Sequence, residues 1–465
     1  MSNPLEQIWV PDLIYFDGRF VPALALVCSG GEIVRLCPAA EVAEGVRLKN
    51  RALLPGLVNA HSHAFQRVIR GRTEYKTHNT DSFWTWREQM YAAANRLNPE
   101  DLCIASRMAF LEMALTGITA VGEFHYIHNA PDGLPYSDPN VLAKQVIKAA
   151  NDVGIRIALL SVAYARAGFQ QDANPLQARF IESSPDRYLK NVELLATELK
   201  NHHGLAWAGI APHSVRAVPL EFLKPIVNFG NSHQMPVHMH VAEQPAEVSA
   251  CVEEYGRTPV ALLESEGLLS SRFTAVHAIH VTPKSIPAFS ATGASVCACP
   301  TTERNLGDGV LPVDAYIQNG TTVSLGTDSQ AQIDLLEDAR ELEYHLRLQR
   351  MERNVLAAQD NERSSLARTL FDCATINGAK SIGSESGALT PTSPADFFTV
   401  DLGDPSIAGA NLETLLTNIV FSSSRAAVRD VVVAGKQIVS DGRHFDQDEI
   451  VMEFNGLQHR LWNQK

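Results

Sequence analysis

The sequence lacks the features of a membrane or exported protein. No stretch approaches the run of about 18 apolar residues that a transmembrane helix requires. The first residues, MSNPLEQIWV, contain neither the basic nor the apolar region of a secretory signal. From these absences we expect a cytoplasmic protein that does not bind a membrane.

Motifs for disulfide frameworks and nucleotide cofactors are also missing. The seven cysteines are scattered, their number is odd, and no CxxC pair occurs, so we expect reduced thiols. No G-x-G-x-x-G opens a helix and no P-loop is present. The sequence therefore implies no nucleotide cofactor.

Positive charge is in deficit. The 39 lysine and arginine residues against 52 aspartate and glutamate residues give a net charge of −13, which disfavours nucleic acid as a partner. Hydrophobic residues make up 45% and charged residues 20% of the chain, as in ordinary globular proteins. The net charge does not exclude a small anionic substrate, because such a substrate responds only to the charges around its own site.

The middle of the chain alternates short apolar segments with amphipathic stretches such as 102–115 and 335–348. Eight such apolar segments are candidate strands: 56–61, 117–124, 155–164, 206–213, 236–242, 274–280, 294–300 and 322–328. Eight β-then-α units predict an α/β fold with a (β/α)8 barrel, which we assign to residues 56–385.

Both ends of the chain are rich in short strands with turn signals. Asp17-Gly18 and Gly30-Gly31 interrupt apolar alternation near the start, and Asp441-Gly442 does so near the end. This shared pattern of short strands and turns predicts one small β-sandwich domain formed by residues 1–55 and 386–465.

Several histidines lie at the carboxyl ends of the predicted strands, where the catalytic side chains of such barrels are found. His61 and His63 end the first strand as H-S-H, and alternate residues of a strand face the same side. His240 ends the fifth strand, His277 lies near the end of the sixth, and Asp328 closes the eighth. Three imidazoles and one carboxylate predict a site for Zn²⁺ or Fe²⁺ made by His61, His63, His240 and Asp328.

Two further residues beside this set suit proton transfer. Glu243 follows His240 in H-V-A-E, and its carboxylate can accept a proton from a water whose pKa a metal lowers. His277 is either another ligand or a group that orients the nucleophile, and we favour the second because four ligands are already assigned. Strand four ends GIAPHSVR without the lysine that often bridges two metals, so we expect one metal per subunit.

Several longer motifs resemble the amidohydrolase superfamily: PGLVNAHSHAFQR, HVAEQ, CPTTERNLGDG and LGTDS. HSHAFQR, FWTWREQMY, EFHYIHN and APHSVRAV are similar to one family within it, the formimidoylglutamate deiminases, which hydrolyse N-formimino-L-glutamate in histidine degradation. The resemblance covers essentially the whole chain. It implies one zinc on the four ligands above, Glu243 and His277 as the catalytic pair, and ammonia as the leaving group.

The resemblance also implies a substrate pocket for a dianion. Arg87 and Arg216 would bind the two carboxylates, because a guanidinium offers a planar bidentate fork. Gln66, Tyr126 and His213 would line the rest of the pocket, and Asp328 would take part in proton transfer. We also expect a homodimer.

Three alternatives stay open. A purine or triazine deaminase of the same superfamily would not require two arginines, and a metal-free barrel would be a binding protein. The same attack on the formimino carbon could also expel formamide. The roles of Glu123, Arg304 and His280 stay unassigned from the sequence.

Overall fold

The computed structural model describes residues 6–76, 82–172, 174–358 and 362–463, and its strands form two sheets. Strands β1 to β5 are Gln7–Phe16, Arg19–Pro22, Leu24–Ser29, Glu32–Pro38 and Val46–Pro55. Strands β6 to β13 are Leu57–Ser62, Ile118–His125, Arg156–Ala163, Ala206–Pro212, Val237–Val241, Phe273–His277, Ser295–Ala298 and Thr322–Leu325. Strands β14 to β17 are Phe397–Asp401, Val428–Val433, Lys436–Ser440 and Arg443–His444.

The α-helices lie mostly between the strands of the second sheet. Helices α1 to α8 are Phe83–Ala94, Pro99–Leu115, Val141–Val153, Pro185–Leu199, Leu220–Ser232, Pro245–Tyr255, Pro259–Ser265 and Pro287–Thr292. Helices α9 to α15 are Pro300–Leu306, Val313–Gln318, Leu335–Arg350, Ser365–Cys373, Ile376–Ile382, Leu415–Ser422 and Gln447–Trp462. Within the described ranges, none of them has the length and apolar character needed to cross a membrane.

Strands β6 to β13 are parallel and pair in chain order, which confirms the predicted barrel. The ring closes where Ser62 bridges Asp328, and the Asp328 N–H donates to the His61 carbonyl at 3.0 Å. Gly326 makes this approach possible, because a Cβ there would lie 2.7 Å from the Cβ of His61. The barrel therefore closes at the residues predicted to bind metal.

Local sequence explains why the elements form where they do. The residues of β7 and β8 are buried throughout, as expected for parallel strands covered on both faces. Helix α2 contains the amphipathic segment predicted at 102–115. It begins with Pro99 as its first residue, and the Asn98 side chain accepts a hydrogen bond from the Asp101 N–H at 2.8 Å.

The first sheet combines both ends of the chain, as predicted. Strand β14 pairs with β5 on one side and β15 on the other, so the C-terminal strands extend the N-terminal ones. Asp17 and Gly18 both have positive φ, at 51° and 75°, and so form the tight turn expected between β1 and β2. The boundaries at 55 and 386 stay a prediction.

Polar contacts join the two sheets and fix the last helix. The buried Arg156 of β8 pairs with the buried Asp396, at 2.7 Å between Nε and Oδ2. Helix α15 lies against α2, where Glu453 pairs with Arg107 at 2.5 Å. The C-terminal helix α15 thus packs against the outer layer of barrel helices.

Candidate active site

Four predicted ligand atoms converge at the carboxyl end of the barrel. The Nε2 atom of His61 lies 3.2 Å from Nε2 of His63 and 3.2 Å from Nε2 of His240. Oδ1 of Asp328 lies 3.4 Å from Nε2 of His61 and 3.3 Å from Nε2 of His63. All four side chains are buried.

These distances suit a single divalent metal ion. Ligand atoms placed tetrahedrally at roughly 2.0–2.1 Å from a metal stand about 3.3 Å apart. His63 Nδ1 lies 2.9 Å from the Phe124 carbonyl, and His240 Nδ1 lies 3.1 Å from the His213 carbonyl. These bonds place the protons on Nδ1 and leave the Nε2 lone pairs directed at one another. Such lone pairs repel unless a cation lies between them, so the residues fit a metal.

The backbone is strained at three of the strand ends that form this centre. Ala242, His277, Ala278 and Asp328 are not glycines, yet all have positive φ, between 47° and 68°. Such conformations cost of the order of 1 kcal/mol or more each and are concentrated in functional sites. They turn the chain sharply after each strand and bring the following side chains over the barrel mouth.

Glu243 and His277 face each other beside the ligand cluster. Glu243 Oε1 lies 3.6 Å from His277 Nε2, and the same Nε2 is 3.7 Å from Asp328 Oδ2. Burial raises the pKa of Glu243 to about 7. Burial alone would lower the pKa of His277, but the surrounding carboxylates raise it well above its ordinary value. The structure therefore places two titratable groups with shifted pKa values side by side at the ligand cluster.

Two buried glutamates near the centre had no assigned role. Glu123 accepts from the Ser62 hydroxyl at 2.6 Å and from the Ala64 N–H at 2.7 Å, so it braces the H-S-H segment. Glu303 Oε1 lies 3.2 Å from Nδ1 of His277. Sequence reasoning missed Glu303, because no spacing rule links it to a histidine on another strand.

One cavity lies directly above the ligand cluster. It is lined by all five residues predicted to bind substrate, Gln66, Arg87, Tyr126, His213 and Arg216, together with His63, His240, Glu243 and Asp328. Helix α1 lies over it as a lid helix and contributes Phe83, Trp86, Met90 and Tyr91. Within the cavity wall, the Gln66 amide donates to the Tyr126 hydroxyl at 3.0 Å.

The two predicted arginines bring positive charge to this cavity. Arg216 is buried and Arg87 is half-buried, and neither forms a salt bridge with any residue that the structure describes. Nε and Nη1 of Arg87 and Nη1 of Arg216 are buried without a hydrogen-bond partner among the described residues. Burial and the charge of Arg216 lower the pKa of Arg87. The Trp84 ring contacts both guanidiniums, with its centroid 4.5 Å from Cζ of Arg87 and 5.8 Å from Cζ of Arg216.

The remaining candidates lie outside the cavity. His280 Nε2 is 2.8 Å from the carbonyl of Asp308, which agrees with a structural role. Arg304 pairs with Glu341 at 2.8 Å on the outer surface. Cys297 and Cys299 are buried free thiols, as predicted.

Comparisons with known proteins give the family. The model of the amidohydrolase family matches residues 52–438. The chain belongs to the amidohydrolase family. A curated member, the formimidoylglutamate deiminase of Pseudomonas aeruginosa, is 37% identical over 430 residues, which are 92% of this chain and 93% of that protein. This amidohydrolase is therefore a C–N hydrolase, and the similarity supports a deamination reaction.

Solved structures of amidohydrolases share the whole fold. The amidohydrolase of Brucella melitensis is 32% identical and has a TM-score of 0.91 over 98% of this chain and 99% of that one. An adenosine deaminase of Xanthomonas campestris, with bound zinc, has a TM-score of 0.83 at 22% identity, over 100% of both chains. The similarity to the adenosine deaminase shows a shared fold and nothing about the substrate.

Proposed function

We propose that this amidohydrolase hydrolyses N-formimino-L-glutamate to N-formyl-L-glutamate and ammonia in histidine degradation, with one zinc ion per subunit. One observation carries the proposal: two arginines that form no hydrogen bond or salt bridge with the described residues line one cavity above the ligand cluster. A buried positive charge is costly unless a negative charge accompanies it. A dianionic substrate supplies both missing carboxylates.

In this proposal His61, His63, His240 and Asp328 hold the zinc. When bound, the ion lowers the pKa of a water molecule and polarises the reacting group. The nitrogen and oxygen donors also suit iron, so Fe²⁺ is the alternative metal. Metal analysis of the purified protein distinguishes the two.

Glu243 is the general base and acid. Its buried carboxylate, with a pKa raised to about 7, takes a proton from the attacking water and delivers it to the departing nitrogen. His277 donates a hydrogen bond from Nε2 to the charge that develops at the formimino group. Asp328, whose Oδ2 faces His277, accepts the second proton and passes it to the departing nitrogen, which leaves as ammonia.

Arg87 and Arg216 bind the two carboxylates of the glutamate end. Their planar guanidiniums fix the orientation of the substrate. The Trp84 ring contacts both guanidiniums and offsets part of their mutual repulsion. Gln66, Tyr126 and His213 would contact the formimino end, because they line the cavity next to His63 and His240. An uncharged purine or triazine ring would leave both arginines unpaired.

The substrate assignment is tested by comparing three compounds with metal-loaded protein. We expect turnover of N-formimino-L-glutamate, much weaker turnover of N-formiminoglycine, which has one carboxylate, and none of adenosine. Preferential turnover of adenosine would replace the proposal with a ring deaminase. Equal use of the mono- and dicarboxylate would show that the two arginines do not act together.

A further inference from the structure

The Nδ1 side of the His277 ring meets a second carboxylate. Glu303, in the first turn of α9, is 2% exposed, and its Oε1 lies 3.2 Å from Nδ1 of His277. The other ring nitrogen, Nε2, faces Glu243 and Asp328 at 3.6 and 3.7 Å. Glu303 is not among the residues that line the cavity, and its contact with the catalytic groups is the one with His277 Nδ1.

We infer that Glu303 is a positioning residue that keeps a proton on Nδ1 of His277 and fixes the orientation of the imidazole. An ionised carboxylate only accepts hydrogen bonds, so Nδ1 must carry a proton. Nε2 is then the only nitrogen that exchanges a proton or hydrogen bond with the reacting groups. A neighbouring carboxylate orients a catalytic histidine in the same way in serine hydrolases. The inference deepens the proposed function and rests on it for the role of His277.

Glu303 also makes a purely structural contact. A test must therefore distinguish the effect of Glu303 on His277 from its effect on helix stability. The same Oε1 accepts a hydrogen bond from the Cys299 N–H at 2.9 Å and so caps the start of α9. If this cap were its whole purpose, losing it would loosen the helix without a specific effect on His277. Asp338 offers a matched control, because its buried Oδ1 accepts from the Thr301 N–H of the same helix at 3.0 Å without a hydrogen bond to His277.

The kinetic test compares Glu303→Ala, Glu303→Gln and Asp338→Asn at equal metal content. We expect Glu303→Ala to lower kcat about 10- to 100-fold while KM and bound metal stay unchanged, as for residues that orient a metal-site side chain. Glu303→Gln should recover part of kcat, because the amide oxygen can still accept from Nδ1 and from Cys299. Asp338→Asn should lower Tm but not kcat.

Two kinetic results would overturn the inference. One is an unchanged kcat in Glu303→Ala. The other is an equal loss of kcat in Asp338→Asn, which would show that Glu303 only supports α9.

A second measurement needs no substrate. Nitrogen-15 NMR of histidine-labelled protein, with the His277 signals identified by their loss in His277→Asn, reports which ring nitrogen carries the proton. We expect a proton on Nδ1 in the wild type and partial loss of that proton in Glu303→Ala. An unchanged pattern would overturn the inference, whereas a changed pattern without turnover of N-formimino-L-glutamate would reject only the substrate assignment.

Discussion

Oε1 of Glu243 lies 3.6 Å from Nε2 of His277, and both side chains are buried beside the ligand cluster. Because a general base typically contributes 10²- to 10⁴-fold, we expect Glu243→Gln to lower kcat by about that factor and to keep its metal. Steady-state kinetics with metal analysis measures both quantities. The control is Glu254→Gln, near the end of helix α6, which begins two residues after Glu243; Glu254 pairs with Arg166 outside the cavity. A Glu243→Gln enzyme with normal kcat would exclude Glu243 as the base.

Arg216→Ala should weaken substrate binding rather than chemistry. An interaction made equally in the ground and transition states changes KM and leaves kcat. We expect KM for N-formimino-L-glutamate to rise about 100-fold, or about 2.7 kcal/mol, with metal content unchanged. Arg304→Ala, which removes a surface arginine paired with Glu341, serves as the control. A normal KM in Arg216→Ala would contradict the proposed pocket.

The metal should stabilise the folded chain as well as support turnover. A ligand that binds only the folded state adds stability as its concentration exceeds Kd, by about 4 kcal/mol at 1,000 times Kd. We therefore expect chelation to abolish activity and lower Tm, and added zinc to restore both. In His240→Ala the Tm should no longer respond to zinc, whereas His280→Ala should respond as the wild type does. A zinc response that survives in His240→Ala would place the metal elsewhere.

His238 should make stability depend on pH. It is fully buried, its Nε2 lies 2.8 Å from the Ser381 carbonyl, and burial lowers its pKa from 6.5 to about 4. The unfolded chain takes up this proton below pH 6.5, but the folded chain does so only near pH 4. The contribution of His238 is therefore present above pH 6.5 and is lost as pH falls to about 4, by up to about 3 kcal/mol.

Urea unfolding of chelated protein between pH 4 and 7 checks this expectation. His238→Gln keeps a donor for Ser381 and should flatten the profile. His233→Gln, at an exposed site, should follow the wild type. Parallel profiles of His238→Gln and the wild type would show that His238 has the same pKa in the folded and the unfolded chain.

The barrel and its ligand cluster could be predicted because their signals are local. Each barrel strand is a short apolar run, and the ligands follow from strand ends that must meet at one rim. His61, His63, His240 and Asp328 therefore converge as expected, within 3.2–3.4 Å for the measured pairs. The turn at Asp17-Gly18 was predictable for the same reason, since only a few residue pairs tolerate positive φ.

Contacts between distant segments could not be predicted in this way. Glu303 meets His277 across 26 positions of sequence, and Trp84 contacts both Arg87 and Arg216 from the lid helix. Neither contact produces a periodic pattern in the sequence, because each depends on where a loop or helix packs against the closed barrel. The two arginines themselves were assigned by resemblance, since a loop arginine alone does not indicate a site.

Product analysis of N-formimino-L-glutamate hydrolysis by zinc-loaded protein tests the central claim most directly. The account predicts one ammonia and one N-formyl-L-glutamate for each substrate consumed, measured by an ammonia assay and mass spectrometry. Formamide and glutamate as products would contradict the assigned leaving group but would not contradict the proposed active site. The absence of turnover with zinc bound would contradict the substrate itself.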